Sequence, residues 1–394
     1  MNIDPKLHEW TPEFTAWRRD FHAHPEIAYQ EHRTAALVAE RLTAFGLEVT
    51  TGIGGTGVVG TLRNGALGHG GGNRAIALRA DMDALPMDEV NDLPYRSQNP
   101  GRMHGCGHDG HTTMLLAAAR YLAETRRFAG TVHFIFQPAE EGGAGALRML
   151  EDGLLERFPF DAVFGAHNDP TLPVGTLSAS PGTVNGATDD IMIELTGRGG
   201  HAARPHATID PIVAGAQIVL GLQSIVSRRV DPLDSAVVSI CTFHAGSATN
   251  VIPETATLSG TIRNLNGAVQ NRLAREIPAM IEHLAQAAGV TAAITYERGY
   301  PPVVNDAGMA RFVAERAATV LDAADIRTTL PPTLGGEDFA YYAQRRPGCF
   351  FRIGQAGAAT GAVPLHHPRY DFNDAILPIG AAIFAAIAAG EPPA

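Results

Sequence analysis

The residues most capable of chemistry are acids, imidazoles and one thiol, and they recur in short clusters along the chain. Asp81 and Asp83 follow an apolar run at 75–80. His104, Cys106, His108, Asp109 and His111 precede an amphipathic run beginning near Thr112. Glu140 and Glu141 follow the apolar run 131–137, His167 follows the run 162–166, and His366 and His367 come near the end. Singly, each has an ordinary explanation: a small buried thiol, a solvated pair of glutamates, a satisfied core histidine. Gathered at one place, these groups would repel or stay unsatisfied unless a cation neutralised them, which points to a metal site. Carboxylate, imidazole and a single thiolate suit Zn, Mn, Co or Ni better than Ca or Mg, and this many candidate ligands suggests two ions.

Two hydrolytic routes compete for Cys106, as metal ligand or as nucleophile. A helix amino terminus near Thr112 would favour a thiolate for either role. A thiol hydrolase needs only a base and an orienting group, and leaves Glu140, Glu141, His167 and His366 without a task. A serine route is set aside because the chain contains no GxSxG.

The elements that must carry these residues can be read from periodicity. Helices at 11–21 and 34–45 lead to strands at 47–51 and 58–62 around Gly52-Ile-Gly-Gly-Thr-Gly57, which satisfies GxGxxG. A strand follows that motif where a nucleotide fold needs a helix, so it reads as a turn between strands. The glycine-rich stretch 67–73 reads as a surface loop. Strands at 75–80, 131–137 and 162–166 then alternate with helices at 112–125 and 145–152, which is α/β layering. In open α/β sheets, ligands gather beyond the carboxyl ends of the strands, where these clusters fall.

From about 187 the order changes to strand 191–195, helix 210–227, strands 236–243 and 257–263, helix 268–288 and strand 291–296. This βαββαβ order is the split unit of a ferredoxin-like sandwich. A helix at 309–323, the Gly335-Gly336 loop and a strand at 349–353 resume the first texture. The expected organisation is thus a catalytic domain of 1–186 and 298–394, with a mostly parallel central sheet, interrupted by an inserted domain at 187–297.

Composition narrows the function classes. The net charge of −11 and the lack of a basic stripe argue against nucleic acid as partner. The three cysteines lie far apart, so they form no disulfide framework and favour the cytoplasm. The apolar run 375–390 has 16 residues, short of the roughly 20 that span a bilayer, and reads as a core helix.

Six ordered motifs then make the chain recognisable: Arg79-Ala-Asp-Met-Asp-Ala-Leu-Pro86, His104-Gly-Cys-Gly-His-Asp-Gly-His-Thr112, Gln137-Pro-Ala-Glu-Glu-Gly142, Gly165-Ala-His167, Gly199-Gly-His-Ala-Ala-Arg-Pro205 and Leu365-His-His-Pro-Arg-Tyr-Asp-Phe-Asn373. Over nearly its whole length the chain resembles the hippurate hydrolase and indole-acetyl-amino-acid hydrolase branch of the aminoacylase/carboxypeptidase-type metallopeptidases. The resemblance implies a di-metal aminopeptidase-like catalytic domain and an inserted lid and dimerisation domain. It implies that Cys106, His108, Glu141, His167 and His366 hold two divalent ions, with Cys106 bridging and His366 preferred to His367 by the His-x-Pro pattern. Glu140 aligns with the general base and His201 with a group that stabilises the oxyanion. Asn250 and Arg263 resemble groups that hold the substrate's free carboxylate, which a guanidinium fork matches in two hydrogen bonds. Asp83 matches an aspartate that orients a metal-bound histidine, while Asp81, Glu337 and Asp338 match supporting positions.

The expected activity is hydrolysis of an N-acyl amino acid to a carboxylic acid and a free amino acid by a homodimer or homotetramer. The ions acidify a water, Glu140 takes its proton, and the same proton goes to the leaving amine. A dipeptidase or an N-acetyl-diaminopimelate-type deacetylase is the rival within the class. A binding protein without catalysis on the same scaffold is the rival outside it, and the presence of Glu140 speaks against that one.

Overall fold

Runs such as Val132-His-Phe-Ile-Phe136 are bulky on both faces, so they fit only a sheet covered on both sides. The computed structural model describes residues 1–65, 74–357 and 363–393, and the loop expected at 67–73 lies outside these residues. The chain divides into two units, one made of Met1–Val184, Val304–Pro331 and Asp338–Ala394, the other of Asn185–Val303 with Pro332–Glu337.

The first unit is built on a sheet of eight strands: β1 (Glu48–Ile53), β2 (Gly57–Asn64), β3 (Ala75–Asp81), β4 (Gly130–Gln137), β5 (Ala162–Pro173), β6 (Leu177–Ser178), β7 (Ile326–Arg327) and β8 (Gly348–Ala356). Their order is β1-β2-β4-β3-β5-β8-β6-β7. The central strands β4, β3, β5 and β8 are parallel, whereas β1–β2, β2–β4 and β8–β6 are antiparallel, so the sheet is mixed around a parallel centre. The GxGxxG stretch is the turn of the β1–β2 hairpin, where Ile53 pairs with Gly57.

Helix His108–Thr125 packs against helix Thr11–Ala23 and against the C-terminal helix Leu377–Ala389. That last helix is buried almost throughout, with Pro378 in its first turn, so the apolar run near the C-terminus belongs to the core. Truncating one of its fully buried residues, such as Ile383, to alanine would cost about 2–5 kcal/mol.

Two elements differ from their sequence limits in ways that matter for chemistry. The helix expected from Thr112 begins at His108, because its polar first turn hides it from an apolar pattern that starts at Met114. Strand β5 runs on to Pro173, since β8 continues to pair beside it through His167, Asn168 and Asp169. His167 therefore lies within a strand.

In the second unit, strands Ala236–Ala245, Thr255–Asn264, Ala187–Thr196 and Thr291–Arg298 stand in that order, all neighbours antiparallel. Helices Pro211–Arg229 and Gly267–Ala288 complete a βαββαβ arrangement. Burial alternates along Ala187–Thr196, so one face of this sheet meets the helices and the other does not. Helix Pro211–Arg229 has the length and apolarity of a membrane span, but Ala214, Ile218, Leu222 and Ile225 are buried in the core of this unit.

Candidate active site

The candidate ligands of the first unit meet at the carboxyl end of the parallel strands. Helix His108–Thr125 starts from Gly107, whose φ of 93° and tight surroundings both demand glycine: a Cβ there would lie 2.4 Å from the Asn168 side-chain oxygen. This turn delivers Cys106 and His108 side by side. The β4 carboxyl end delivers Glu140 and Glu141 after Ala139, an alanine held at φ 52°, and His366 itself sits at φ 61°. Left-handed backbone at such residues costs about 1–3 kcal/mol each and persists where the surroundings over-determine it. The Glu31 carboxylate accepts the Ala139 amide at 2.9 Å, and the Gly105 carbonyl accepts the His366 amide at 2.8 Å.

Asp81 with His108 and His111, and His108 with Glu140 and Glu141, form groups of possible ligand atoms within 4.8 Å, and so do Cys106 with His108 and His167, and Cys106 with Glu141 and His366. The last two groups share the thiol. His367 stands apart, its Nδ1 accepting the Arg369 amide at 3.1 Å. The His167 Nδ1–H donates to the Asn168 carbonyl at 2.7 Å, which leaves Nε2 free to face the Cys106 sulfur at 3.4 Å. His108 turns Nδ1 toward Asp83 at 3.3 Å and Nε2 toward Glu141 at 3.9 Å. Asp83 also accepts the amides of Glu140 and Glu141 at 3.0 and 2.9 Å, so one carboxylate fixes three site residues.

Electrostatics test whether a cation belongs among these groups. Both ring nitrogens of His108 and Oε1 of Glu141 are buried without a hydrogen-bond partner. Burial, reinforced by Glu141, Glu140 and Asp81, pushes the Cys106 thiol well above its usual range. Burial alone would lower His108, yet Asp81, Asp83 and Glu141 together raise it to about 10. Burial holds His167 well below its normal value, neutral and ready to donate a lone pair. Glu141 is lowered by His366 and His108 against the opposing effect of burial. A thiol kept protonated beside carboxylates, with orphaned ligand atoms around it, is the pattern divalent cations would relieve, and the residues fit them.

This architecture can be set beside known proteins. Residues 77–390 match the pattern described as Peptidase family M20/M25/M40. The chain belongs to this family. It is 39% identical over 388 residues to the hippurate hydrolase of Campylobacter jejuni, covering 98% of this chain and 99% of that protein. It is 38% identical over 377 residues to IAA-amino acid hydrolase ILR1-like 4 of Arabidopsis thaliana, covering 94% and 84%. Among solved structures, the Bacillus subtilis YXEP protein, described as a dinuclear metal binding peptidase from the M20 family, is 34% identical with a TM-score of 0.81, covering 97% and 98%. This M20 chain is accordingly a metal-dependent hydrolase acting on amide bonds.

The M20 site has supports that the sequence named only as candidate ligands, as for His111, or did not single out, as for Arg79 and Gln137. His111 bridges Asp81 and Asn168, at 2.6 Å to each. Its place three residues after His108, on the same helix face, was the available signal. Arg79, fully buried, donates to Asp81 at 2.8 Å and to Asp338 at 2.9 Å, while Gln137 and the Ala146 amide also donate to Asp338. Asp338 in turn offers its amide to Glu140 Oε1 at 3.4 Å. Arg79 and Gln137 read in sequence as strand residues, because nothing local shows that charge will be buried across the sheet.

In the second unit, His201 and Asn250 are neighbours. Strand Gly200–His201 pairs with Val251–Ile252, and the Ala202 amide donates to the Asn250 carbonyl at 3.0 Å. Arg263 is not with them: it lies near the far end of Thr255–Asn264, about 25 Å along the strand from Thr255. Its Nε donates to Thr261 at 2.9 Å.

Proposed function

We propose that this hydrolase cleaves N-acyl amino acids, hippurate-like compounds foremost, to a carboxylic acid and a free amino acid at a two-metal centre. The observation that carries the reading is the sharing of Cys106 by two ligand groups, His108 with His167 and Glu141 with His366, with Glu140 adjacent in sequence to Glu141. Cys106 would hold both ions, one together with His108 and His167 and the other together with Glu141 and His366. The mixture of carboxylate, imidazole and thiolate suits Mn, Zn, Co or Ni. When bound, the two cations acidify water and polarise the amide carbonyl.

The chain's own residues do the rest. Glu140, 7% exposed, takes a proton from the attacking water on its carboxylate and returns it to the leaving nitrogen. Asp83 orients His108, while Asp81 and Asp338 hold the surrounding frame in place. His201 stabilises the oxyanion. Arg263, through its guanidinium fork, and Asn250 are the groups for the substrate's free carboxylate; because they lie far apart within one chain, they would meet on one substrate only across the homodimer. The βαββαβ unit serves as lid and as dimerisation module of a homodimer or a homotetramer. Supporting this, its strand Ala236–Ala245 is an edge strand, and Ile212, Val213 and Leu220 of the neighbouring helix are exposed. Three free cysteines support a cytoplasmic setting.

The test is a panel of hippurate, N-acetyl amino acids, indole-acetyl amino acids and dipeptides, offered to protein stripped by chelator and reloaded with Mn, Zn, Co or Ni. Metal-restored cleavage of acyl amino acids is the expected result. Cleavage of dipeptides alone would make the chain a dipeptidase, and no cleavage with two ions bound would overturn the substrate class.

A further inference from the structure

The amino ends of the same parallel strands enclose a second feature. A cleft of about 690 Å³ lies where β3 begins at Ala75, β4 at Gly130, β5 just after Asp161 and β8 just after Pro347. Four guanidinium groups from separate segments line it: Arg63 at the end of β2, Arg157 at the end of helix Leu154–Arg157, and Arg345 and Arg346 before β8. This is an unusual concentration in a chain of net charge −11.

The acids nearby offset only part of this charge. Glu48 pairs with Arg63, and the Asp161 carboxylate accepts the Ala75 amide at 3.1 Å. Arg157 and Arg345 are exposed, and neither has an acidic partner among the described residues. Arg346 is half-buried and fixed by the carbonyls of Phe160 at 2.9 Å and Arg345 at 2.8 Å, which sets its remaining donors in place. Phe160 and Pro347 give the cleft an apolar wall beside this charge.

We propose that this cleft is a binding site for a small, multiply charged anion, a molecule carrying two or more phosphate or carboxylate groups on a short carbon skeleton. Planar guanidinium forks match phosphate and carboxylate oxygens in pairs, and several forks around one cleft select a ligand with more than one anionic group. The volume falls within the range of small-molecule pockets, and the apolar wall takes the carbon skeleton. An open cleft lined by exposed arginines binds by attraction that salt screens.

Isothermal titration of the metal-loaded protein with fructose 1,6-bisphosphate, and separately with glutarate, tests the assignment. Expected is one site per chain, weakened by added NaCl, and weakened about tenfold or more in the double variant Arg157→Ala/Arg345→Ala, with hydrolytic turnover unchanged. The variant Arg157→Lys/Arg345→Lys should fall between, because it keeps charge but loses the fork. Binding of the bisphosphate alone assigns phosphate ligands to the cleft, and comparable binding of glutarate extends the assignment to carboxylates. No binding of either probe, or equal affinity in the double alanine variant, overturns the proposal.

Discussion

The two ends of one parallel sheet are chemically opposite. At the carboxyl ends of β3 and β4, acids and imidazoles are buried together, and several of their nitrogen and oxygen atoms make no hydrogen bond among the described residues. At the amino ends, arginines line an open cleft, and three of the four are exposed to water. The difference teaches that burial, more than charge count, decides what a cluster can do. Buried carboxylates and a thiol must be neutralised at fixed positions, which suits metal ions. Exposed guanidinium groups stay hydrated and can exchange a soluble anion.

The contrast breaks most sharply at Glu140. Glu140→Gln should cut turnover by about 10³-fold or more while two metals per chain remain bound. A near-normal rate would return Glu140 to a structural role.

Next in size is Cys106→Ala, which should drop metal content below two ions per chain by elemental analysis, with loss of activity. If two ions stay bound, the thiol does not bridge. A smaller effect is expected for Asp83→Ala. Losing the carboxylate that fixes His108 and the Glu140 and Glu141 amides should weaken metal affinity by about 10- to 100-fold in a chelator competition. Unchanged affinity would mean that His108 orients itself.

Two histidines sharpen the comparison through pH. Behind the acidic end, burial would lower His22, but its hydrogen bonds to Asp109 at 2.8 Å and Glu89 at 3.3 Å raise it to about 9. A raised histidine stabilises the fold fully below its unfolded value near 6.5 and loses that contribution as pH climbs through 9. The stability gap between the native chain and His22→Gln, on the order of 2–3 kcal/mol at pH 6, should therefore close between pH 6.5 and 9. Beside the arginine cleft, burial pushes His133 down to about 4. There the unfolded chain binds the extra proton, so this contribution is lost as pH falls from 6.5 to 4. Denaturant titrations across both windows check the two signs, and a gap that ignores pH would mean the group does not titrate as described.

Much of this frame was legible in the sequence. The alternation of short buried strands with amphipathic helices announced the α/β layers, and the βαββαβ order was readable because its elements are long and periodic. Strand ends and helix starts were less so. His108 opens a helix whose first turn is polar, and His167 lies in a strand prolonged by pairing with β8, so local pattern misplaced both boundaries. Helix Pro211–Arg229 has the length and apolarity of a span, yet its place in the βαββαβ order was legible in the sequence and is matched by the residues it buries.

Residue type and order alone determined the chemistry available: one thiol, seven histidines and six acids in six motifs that no structural need would place together. Tertiary structure decided which of them meet. It brought His366 beside Cys106 and Glu141, tied Asp83 to three site residues, and set Arg263 at the far end of its strand from Asn250. The reason is that spacing along a chain fixes a side chain's face and element, whereas distances between elements come from how sheets pair and helices pack.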